Sequence, residues 1–328
     1  MTLSLASVAV LGSRNLKIPA YDRKAVSIGV VHFGPGAFHR VHQACYLDDV
    51  LHTDPRWGIC QVSLHSTGVR DALVPQDGLY TIAILDAESS FRVIGSVKEV
   101  LVAPESPSAV LDRMIAPTTH IVSATITEKG YCLNKEGGLD FSHPDIAYDL
   151  KHPETPKTFV GFLARALRLR HDRGHEPFNV ISCDNLADNG HRLRRAVLEF
   201  VRSSDPSLAA WIEKEVTFPC TMVDSITPAT DVALPAPVKE ALGGEVLWPV
   251  QREFFCQWVI ENKLRGTQPD WASVGVTVTD VLGGQVLMTF PAFPTIQGHL
   301  RAGKLKVLAV SGDKRVPLVP EVPTFAEA

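Results

Sequence analysis

The sequence has no long apolar run, no closely spaced cysteines and no surplus of one charge, and each absence argues against a class of protein. No apolar stretch approaches the roughly 20 residues that a membrane-spanning helix needs, so no membrane partner is expected. Six cysteines (Cys45, Cys60, Cys132, Cys183, Cys220 and Cys256) lie far apart with no Cys-x-x-Cys spacing. That pattern argues against a disulfide framework or a metal cluster and predicts reduced, mostly buried thiols in a cytoplasmic chain. The formal net charge is -4, and the basic residues are scattered, which gives no footprint for nucleic acid. The apolar run near Met1–Leu11 lacks both a preceding basic segment and a small-x-small cleavage pattern, so export is not expected.

With 328 residues, 45% of them hydrophobic and 21% charged, the chain reads as soluble and globular, with two domains or one large one. Its organising stretch is Ser27-Ile28-Gly29-Val30-Val31-His32-Phe33-Gly34-Pro35-Gly36-Ala37-Phe38-His39-Arg40. An apolar strand stops at two glycines and passes directly into a helical pattern over residues 37–51. Such a turn gathers backbone N–H groups where a phosphate can approach, at a helix end that favours negative charge. Gly34-x-Gly36-x-x-His39 meets two of the three glycine positions of a dinucleotide fingerprint. His39 at the third place predicts that helix and strand stand further apart than at glycine. Read alone, the turn serves equally as a plain strand–turn–helix.

Further strands are predicted at residues 58–64, 79–85, 91–102, 120–127 and 178–182, with helices at 106–114, 158–170, 190–201 and 208–215. Residues before about Ser27 read as an irregular arm, and Asn134–Pro156 reads as a long loop or cover. Strand–helix alternation of this kind predicts a doubly wound α/β domain with its site along the strand exits. Three exits are polar: Thr127-Glu128-Lys129, Cys183-Asp184-Asn185 and Asp224-Ser225. Each alone reads as a cap or turn as readily as a catalytic group; convergence near the glycine turn would mark a site.

The motifs from His32 to Gln43, Ile126-Thr127-Glu128-Lys129-Gly130-Tyr131-Cys132, Ser182-Cys183-Asp184-Asn185-Leu186 and Val223-Asp224-Ser225-Ile226-Thr227-Pro228 together resemble the long-chain mannitol dehydrogenase family. That family includes mannitol and arabinitol dehydrogenases and fructuronate and tagaturonate reductases. Pro75-Gln76-Asp77-Gly78-Leu79-Tyr80 and Gln257-Trp258-Val259-Ile260-Glu261-Asn262 extend the match, which runs in consistent order over about 19–280. The resemblance implies a Rossmann-like domain over residues 1–280. It also implies hydride exchange between NAD, with NADP left open, and a polyol or sugar acid. Gly34 and Gly36 would hold the pyrophosphate with Phe38 beside them. Asn185 would meet the reacting oxygen, Glu128 would stand beside the proton route, and Asp224 would lie near the active centre. No metal is implied.

The chain departs from that pattern in places. His65 and Ser225 stand where family members commonly carry arginine. The carboxylate that many use for the adenosine ribose is missing; Gly68 is near its place and Asp71 is a poor substitute. Beyond Asp280 the family's helical domain, with its catalytic lysine, is expected but not found. Residues 281–328 instead resemble a fragment of the periplasmic solute receptors of tripartite tricarboxylate transporters. The match includes Leu308-Ala309-Val310-Ser311 and Pro320-Glu321-Val322-Pro323. The expectation is a fusion of two partial proteins: a dehydrogenase with weak turnover, and with an apolar face left bare to self-associate. The alternatives are an inactive fusion product and a solute-binding module.

Overall fold

The first described strand, β1 (Leu16–Lys17), is followed by the buried run β2 (Ile28–Phe33), whose side chains face alternately into two cores. The chain then forms α1 (Ala37–Val41), α2 (Gln43–Val50), β3 (Gly58–Ser63), α3 (Gly68–Leu73), β4 (Tyr80–Leu85), β5 (Ser90–Ile94) and β6 (Val97–Val102). Next come α4 (Pro107–Ile115), β7 (Ile121–Ala124), α5 (Thr127–Gly130), α6 (Pro144–Lys151), α7 (Phe159–Asp172) and β8 (Asn179–Ser182). The remaining elements are α8 (Asn189–Arg202), α9 (Pro206–Glu215), β9 (Thr221–Asp224), α10 (Pro235–Leu242), β10 (Val250–Glu253), β11 (Gln257–Glu261) and β12 (Thr277–Thr279). This computed structural model describes residues 3–4, 16–86, 89–230, 233–242, 246–280 and 322–324. Two compact units divide the chain, Met1–Leu282 and Gly283–Ala328, and all the elements just named belong to the first. The receptor-like tail expected over 281–328 lies outside the described residues, apart from 322–324.

Five strands pair in the order β6-β3-β2-β7-β8, every pair parallel, as the doubly wound reading requires. Strand order reverses between β2 and β7, and in an open α/β sheet the crevice for a ligand opens at that reversal. Val31, Phe33, Val62, Val122, Ala124 and Val180 face one core, shared with α4, α7, α8 and α9. Val30, Ile59, Ile121 and Ile181 face the other, shared with α2 and with Val250, Trp258 and Ile260 from outside the parallel sheet. Parallel strands covered on both faces read as near-continuous apolar runs, and so the sequence showed them.

Three expectations are corrected. The helix expected over 37–51 breaks at His42 (φ -115°, ψ -90°), where the imidazole Nε2 donates to the Gln257 carbonyl of β11 at 2.8 Å. The loop expected over Asn134–Pro156 contains α6, with Pro144 in its first turn and the His143 ring accepting the Asp145 N–H. Asp149 on α6 accepts from the N–H groups of Lys157 and Thr158 and from the Thr158 hydroxyl, which ties the segment to the start of α7. The arm before Ser27 contributes β1, parallel to β5.

The region expected at 91–102 is split between sheets. β5 joins a four-stranded sheet, β1-β5-β4-β10, while β6 joins the parallel one; β11 lies in a third sheet, β12-β11-β9. A buried ion pair ties α2 to the four-stranded sheet: Arg92 donates to Asp48 at 2.7 Å, with both side chains nearly inaccessible. Asp48 also accepts from Tyr21 Oη and from Gly95 N–H. Removing one partner of such a pair leaves a charge uncompensated in low dielectric. Asp48→Ala should therefore cost about 3 kcal/mol in urea unfolding, the neighbouring Asp49 retaining part of the Arg92 interaction.

Candidate functional site

At the end of β2 the chain turns through Gly34 at φ +84°, a conformation that suits glycine. A Cβ there would lie 2.2 Å from the Thr125 carbonyl, so the β2 and β7 exits can approach only because no side chain intervenes. Gly34 N–H donates to the Val62 carbonyl at 3.0 Å, Thr125 N–H to the Phe33 carbonyl at 2.9 Å, and the Thr125 hydroxyl to the Gly34 carbonyl at 2.7 Å. Gly36, by contrast, has nothing within 4 Å of a built Cβ. It opens α1, whose first turn has no side-chain cap and no acidic residue. The Gly36 N–H is turned back onto the Gly34 carbonyl at 2.7 Å, so the N–H groups left without a cap are those of the first turn of α1, at the strand-order reversal.

The His39 position shows how the chain manages without a third glycine. Its imidazole stacks on that of His32 from β2, with centroids 3.4 Å apart and planes 10° from parallel. Both rings are fully buried. Because the Thr125 hydroxyl gives its hydrogen to Gly34, His32 Nε2 donates to Thr125 Oγ1 (3.0 Å) and Nδ1 accepts from Ser123 Oγ (2.8 Å). Burial pushes the His32 pKa down to about 3; His39 is driven well below its ordinary value by burial and by His32 beside it. The two rings stack as neutral planes.

A cavity of about 430 Å³ opens over this turn. It is lined by Gly34–Ala37, by Ser63–Ser66 at the β3 exit, by Val69 of α3, by Thr125, Ile126 and Gly130 at the β7 exit, and by Arg40 and Trp248. Arg40 is buried; it donates to the Trp248 carbonyl at 3.1 Å and lies 5.1 Å from the indole and 5.8 Å from the Tyr80 ring. Its Nε has no partner among the described residues. Phe38 stacks on His42 with centroids 4.9 Å apart and is not a lining residue.

The polar exits beside the cavity divide the work. Asp184, buried after β8, accepts from Thr127 N–H (2.9 Å), Ile126 N–H (3.2 Å) and Tyr131 Oη (2.5 Å). This clamp holds Thr127 at φ +64°, costly for a β-branched residue, and draws the β7 and β8 exits together. Burial raises the Asp184 pKa against the hydrogen bonds that lower it. Glu128, next to Thr127, and Asn185, next to Asp184, are exposed on these two adjoining exits. Asp224 lies on another sheet, paired with Gln257, whose carbonyl holds His42. Burial and Glu253 raise its pKa. No hydrogen bond joins Asp224 to Glu128 or Asn185 among the described residues. Near Asp224, Ile226 (57% exposed) and Phe254 (72% exposed) present an apolar patch with Phe255.

A larger cavity of about 830 Å³ runs along α5 and the start of α8, lined by Glu128, Lys129, Lys135, His143, His191 and Arg195 among others. At one side, donor atoms of Asp188, His191 and Cys220 lie within 4.8 Å of one another, a grouping that their spacing in sequence did not reveal. All six cysteines are free and five are buried, as their spacing implied. Sequence reasoning missed Arg40 and Trp248 as lining residues. Trp248 reaches the crevice from some 200 residues away, so no local signal could have placed it.

Residues 28–273 match the family of the mannitol dehydrogenase Rossmann domain. The mannitol 2-dehydrogenase of Phaeosphaeria nodorum is 43% identical over 283 residues, covering 84% of this chain and 50% of the relative. The D-mannonate oxidoreductase of Escherichia coli is 44% identical over 273 residues, covering 80% and 56%. Among solved structures, Pseudomonas fluorescens mannitol 2-dehydrogenase in ternary complex with NAD and D-mannitol superposes with a TM-score of 0.83 at 40% identity, covering 87% of this chain and 59% of that one. A substrate-free D-sorbitol dehydrogenase gives 0.81 at 37% identity, covering 85% and 58%. The chain thus spans little more than half the length of these relatives.

Two outcomes follow from the turn and its histidines. Gly34→Ala should cost on the order of 3 kcal/mol, since a methyl would meet the Thr125 backbone at a positive φ, whereas Gly36→Ala should cost about 1 kcal/mol or less. Urea unfolding of both variants checks the contrast. Acid should also destabilise the fold. His32 and His42 have pKa values lowered by burial to about 3 and about 4, so below pH 6.5 the unfolded chain takes up protons that the folded chain refuses. Between pH 6 and pH 4 the two together should remove about 2 kcal/mol of stability per pH unit, measurable by urea melts across that range.

Proposed function

This chain belongs to the mannitol dehydrogenase family, and from that premise we propose that it binds NAD(H) in the 430 Å³ crevice and exchanges hydride with a polyol or hexuronate. The substrates would be of the mannitol/fructose or mannonate/fructuronate type. The observation that carries the reading is the Gly34–Gly36 turn at the strand-order reversal, with α1 uncapped and open space over Gly36. What supports a pyrophosphate here is the uncapped first turn of α1 and the absence of a side chain over Gly36, the Gly34 and Gly36 N–H groups being taken by the Val62 and Gly34 carbonyls. When bound, the nicotinamide supplies the hydride acceptor or donor. The remaining roles fall to the chain itself.

Asn185 would hold the reacting oxygen and Glu128 would stand beside the proton route, since the Asp184 clamp sets their two exits side by side. Asp224, with its raised pKa, would support the far wall. Alcohol oxidation needs a base on the hydroxyl. Among the described residues at these exits, Lys129 is exposed, and the buried His32, His39 and His42 lie in the interior. A positioned base contributes about 10² to 10⁴ in rate, so where none of these described groups acts as the base, turnover is lower by that factor. The exposed Ile226, Phe254 and Phe255 support self-association of the isolated chain, which a monodisperse monomer in sedimentation would contradict. With reduced thiols and no described helix long and apolar enough to cross a membrane, we place the protein in the cytoplasm.

The test is an NADH fluorescence titration. Saturation below millimolar cofactor is expected, with Gly36→Ala weakening it about tenfold by putting a methyl where the pyrophosphate passes. No saturable signal at millimolar NADH overturns the reading and favours the inactive product. Steady-state assays with mannitol, fructose and fructuronate, run beside the Pseudomonas fluorescens enzyme, should show turnover at least about 10²-fold lower.

A further inference from the structure

A Rossmann crevice selects NAD over NADP at one point, the exit of its second strand. A carboxylate there accepts a hydrogen bond from the adenosine 2′-hydroxyl and repels a 2′-phosphate. In this chain the second strand is β3, and its exit reads Ser63-Leu64-His65-Ser66-Thr67-Gly68. No carboxylate occurs in it, and none is found among the described residues that line the cavity. What lines this end is two hydroxyls (Ser63, Ser66), the His65 ring and the Arg40 guanidinium.

The nearest carboxylates in sequence are already engaged. Asp71 accepts from Arg70 Nε (3.0 Å) and Nη2 (2.8 Å), while Glu105 accepts from Arg70 Nη1. Neither lines the cavity. The space over Gly68 is taken as well. A Cβ built on Gly68 would meet the Trp248 ring at 3.0 Å from Cζ3 and 3.2 Å from Cη2. Trp248 is itself at φ +51° and 45% exposed, with its ring against the crevice and its carbonyl held by Arg40. The indole therefore stands where an acidic side chain from Gly68 would project.

We propose that the crevice accepts NADP(H) about as readily as NAD(H), because its adenosine end carries the Trp248 indole over Gly68, with Arg40 and His65, in place of a ribose carboxylate. This rests on the crevice being the dinucleotide site. The missing carboxylate removes a hydrogen bond that favours NAD, and with it the repulsion that rejects the phosphate. A hydrogen bond to a charged group contributes roughly tenfold to a hundredfold in affinity, so its loss brings the two cofactors close together. His65, exposed at the rim, supplies a donor toward a 2′-phosphate, and the buried Arg40 guanidinium adds positive charge behind the wall.

Parallel fluorescence titrations of the full chain with NADH and NADPH test this. Dissociation constants within about tenfold of each other are expected. NADH binding with NADPH more than about a hundredfold weaker, or undetected, overturns this proposal and leaves the dinucleotide site standing; failure of both cofactors removes the site and the proposal together. A second arm uses Ser66→Asp, which places a carboxylate on an exposed lining residue without entering the core. It should shift the NADPH-to-NADH affinity ratio at least about tenfold toward NADH. An unchanged ratio in a variant that melts like the parent places the 2′ position elsewhere and overturns the assignment.

Discussion

Two neutral imidazoles stacked at 3.4 Å hold α1 over β2, the strand that runs into the glycine turn. Where three glycines let helix and strand touch, His32 and His39 instead fill the gap with a layer one ring thick. The layer is affordable only because it stays uncharged. Burial disfavours both imidazolium forms, and the Thr125–Gly34 hydrogen bond dictates the His32 tautomer. Beside His32 in register lie Gln61 on β3 and Ser123 on β7, so a polar row crosses the middle of the buried sheet. Polar side chains at such positions specify register, because a slip of one residue would set each against the opposite, apolar core.

The sheet itself was legible from the sequence because its signals are local. Val30-Val31-His32-Phe33 and Ile121-Val122-Ser123-Ala124 are short buried runs, and each ends at a turn residue whose chemistry is visible. α6 was missed, because the prolines and histidines around His143-Pro144-Asp145 read as loop. The break at His42 was not legible. It depends on a carbonyl of Gln257, 215 residues away. The same holds for Arg40 and Trp248, which become neighbours only once β10 has paired with β4 and set residue 248 against α3.

At the polar exits, sequence pattern found the right clusters but could not divide their members by role. Cys183-Asp184-Asn185 contains two hydrogen-bonding residues of similar size. The fold buries Asp184 as a three-way acceptor and leaves Asn185 exposed. A carboxylate suits that clamp, since it takes three donors while an amide oxygen has two lone pairs. Among the described residues the exposed amide beside it makes no hydrogen bond to the scaffold. The separation arises from burial, which a string of letters does not show.

On the proposed reading, cofactor recognition and chemistry are built on different foundations in this chain. The crevice is lined by residues between Gly34 and Trp248, and its walls are fixed by buried contacts: the stacked rings, the Arg40–Trp248 bond and the Thr125 hydroxyl. Fixed walls cost little reorganisation when a nucleotide enters, which favours affinity. At the reacting end only the Asp184 clamp is buried. Glu128 and Asn185 stand in solvent, where water competes for each hydrogen bond and the effective dielectric is high. A group that stabilises developing charge in a dry pocket contributes much less under those conditions. The same geometry is therefore consistent with a competent nucleotide site joined to a poor catalyst, and it is exclusion of water from Glu128 and Asn185 that would turn one into the other.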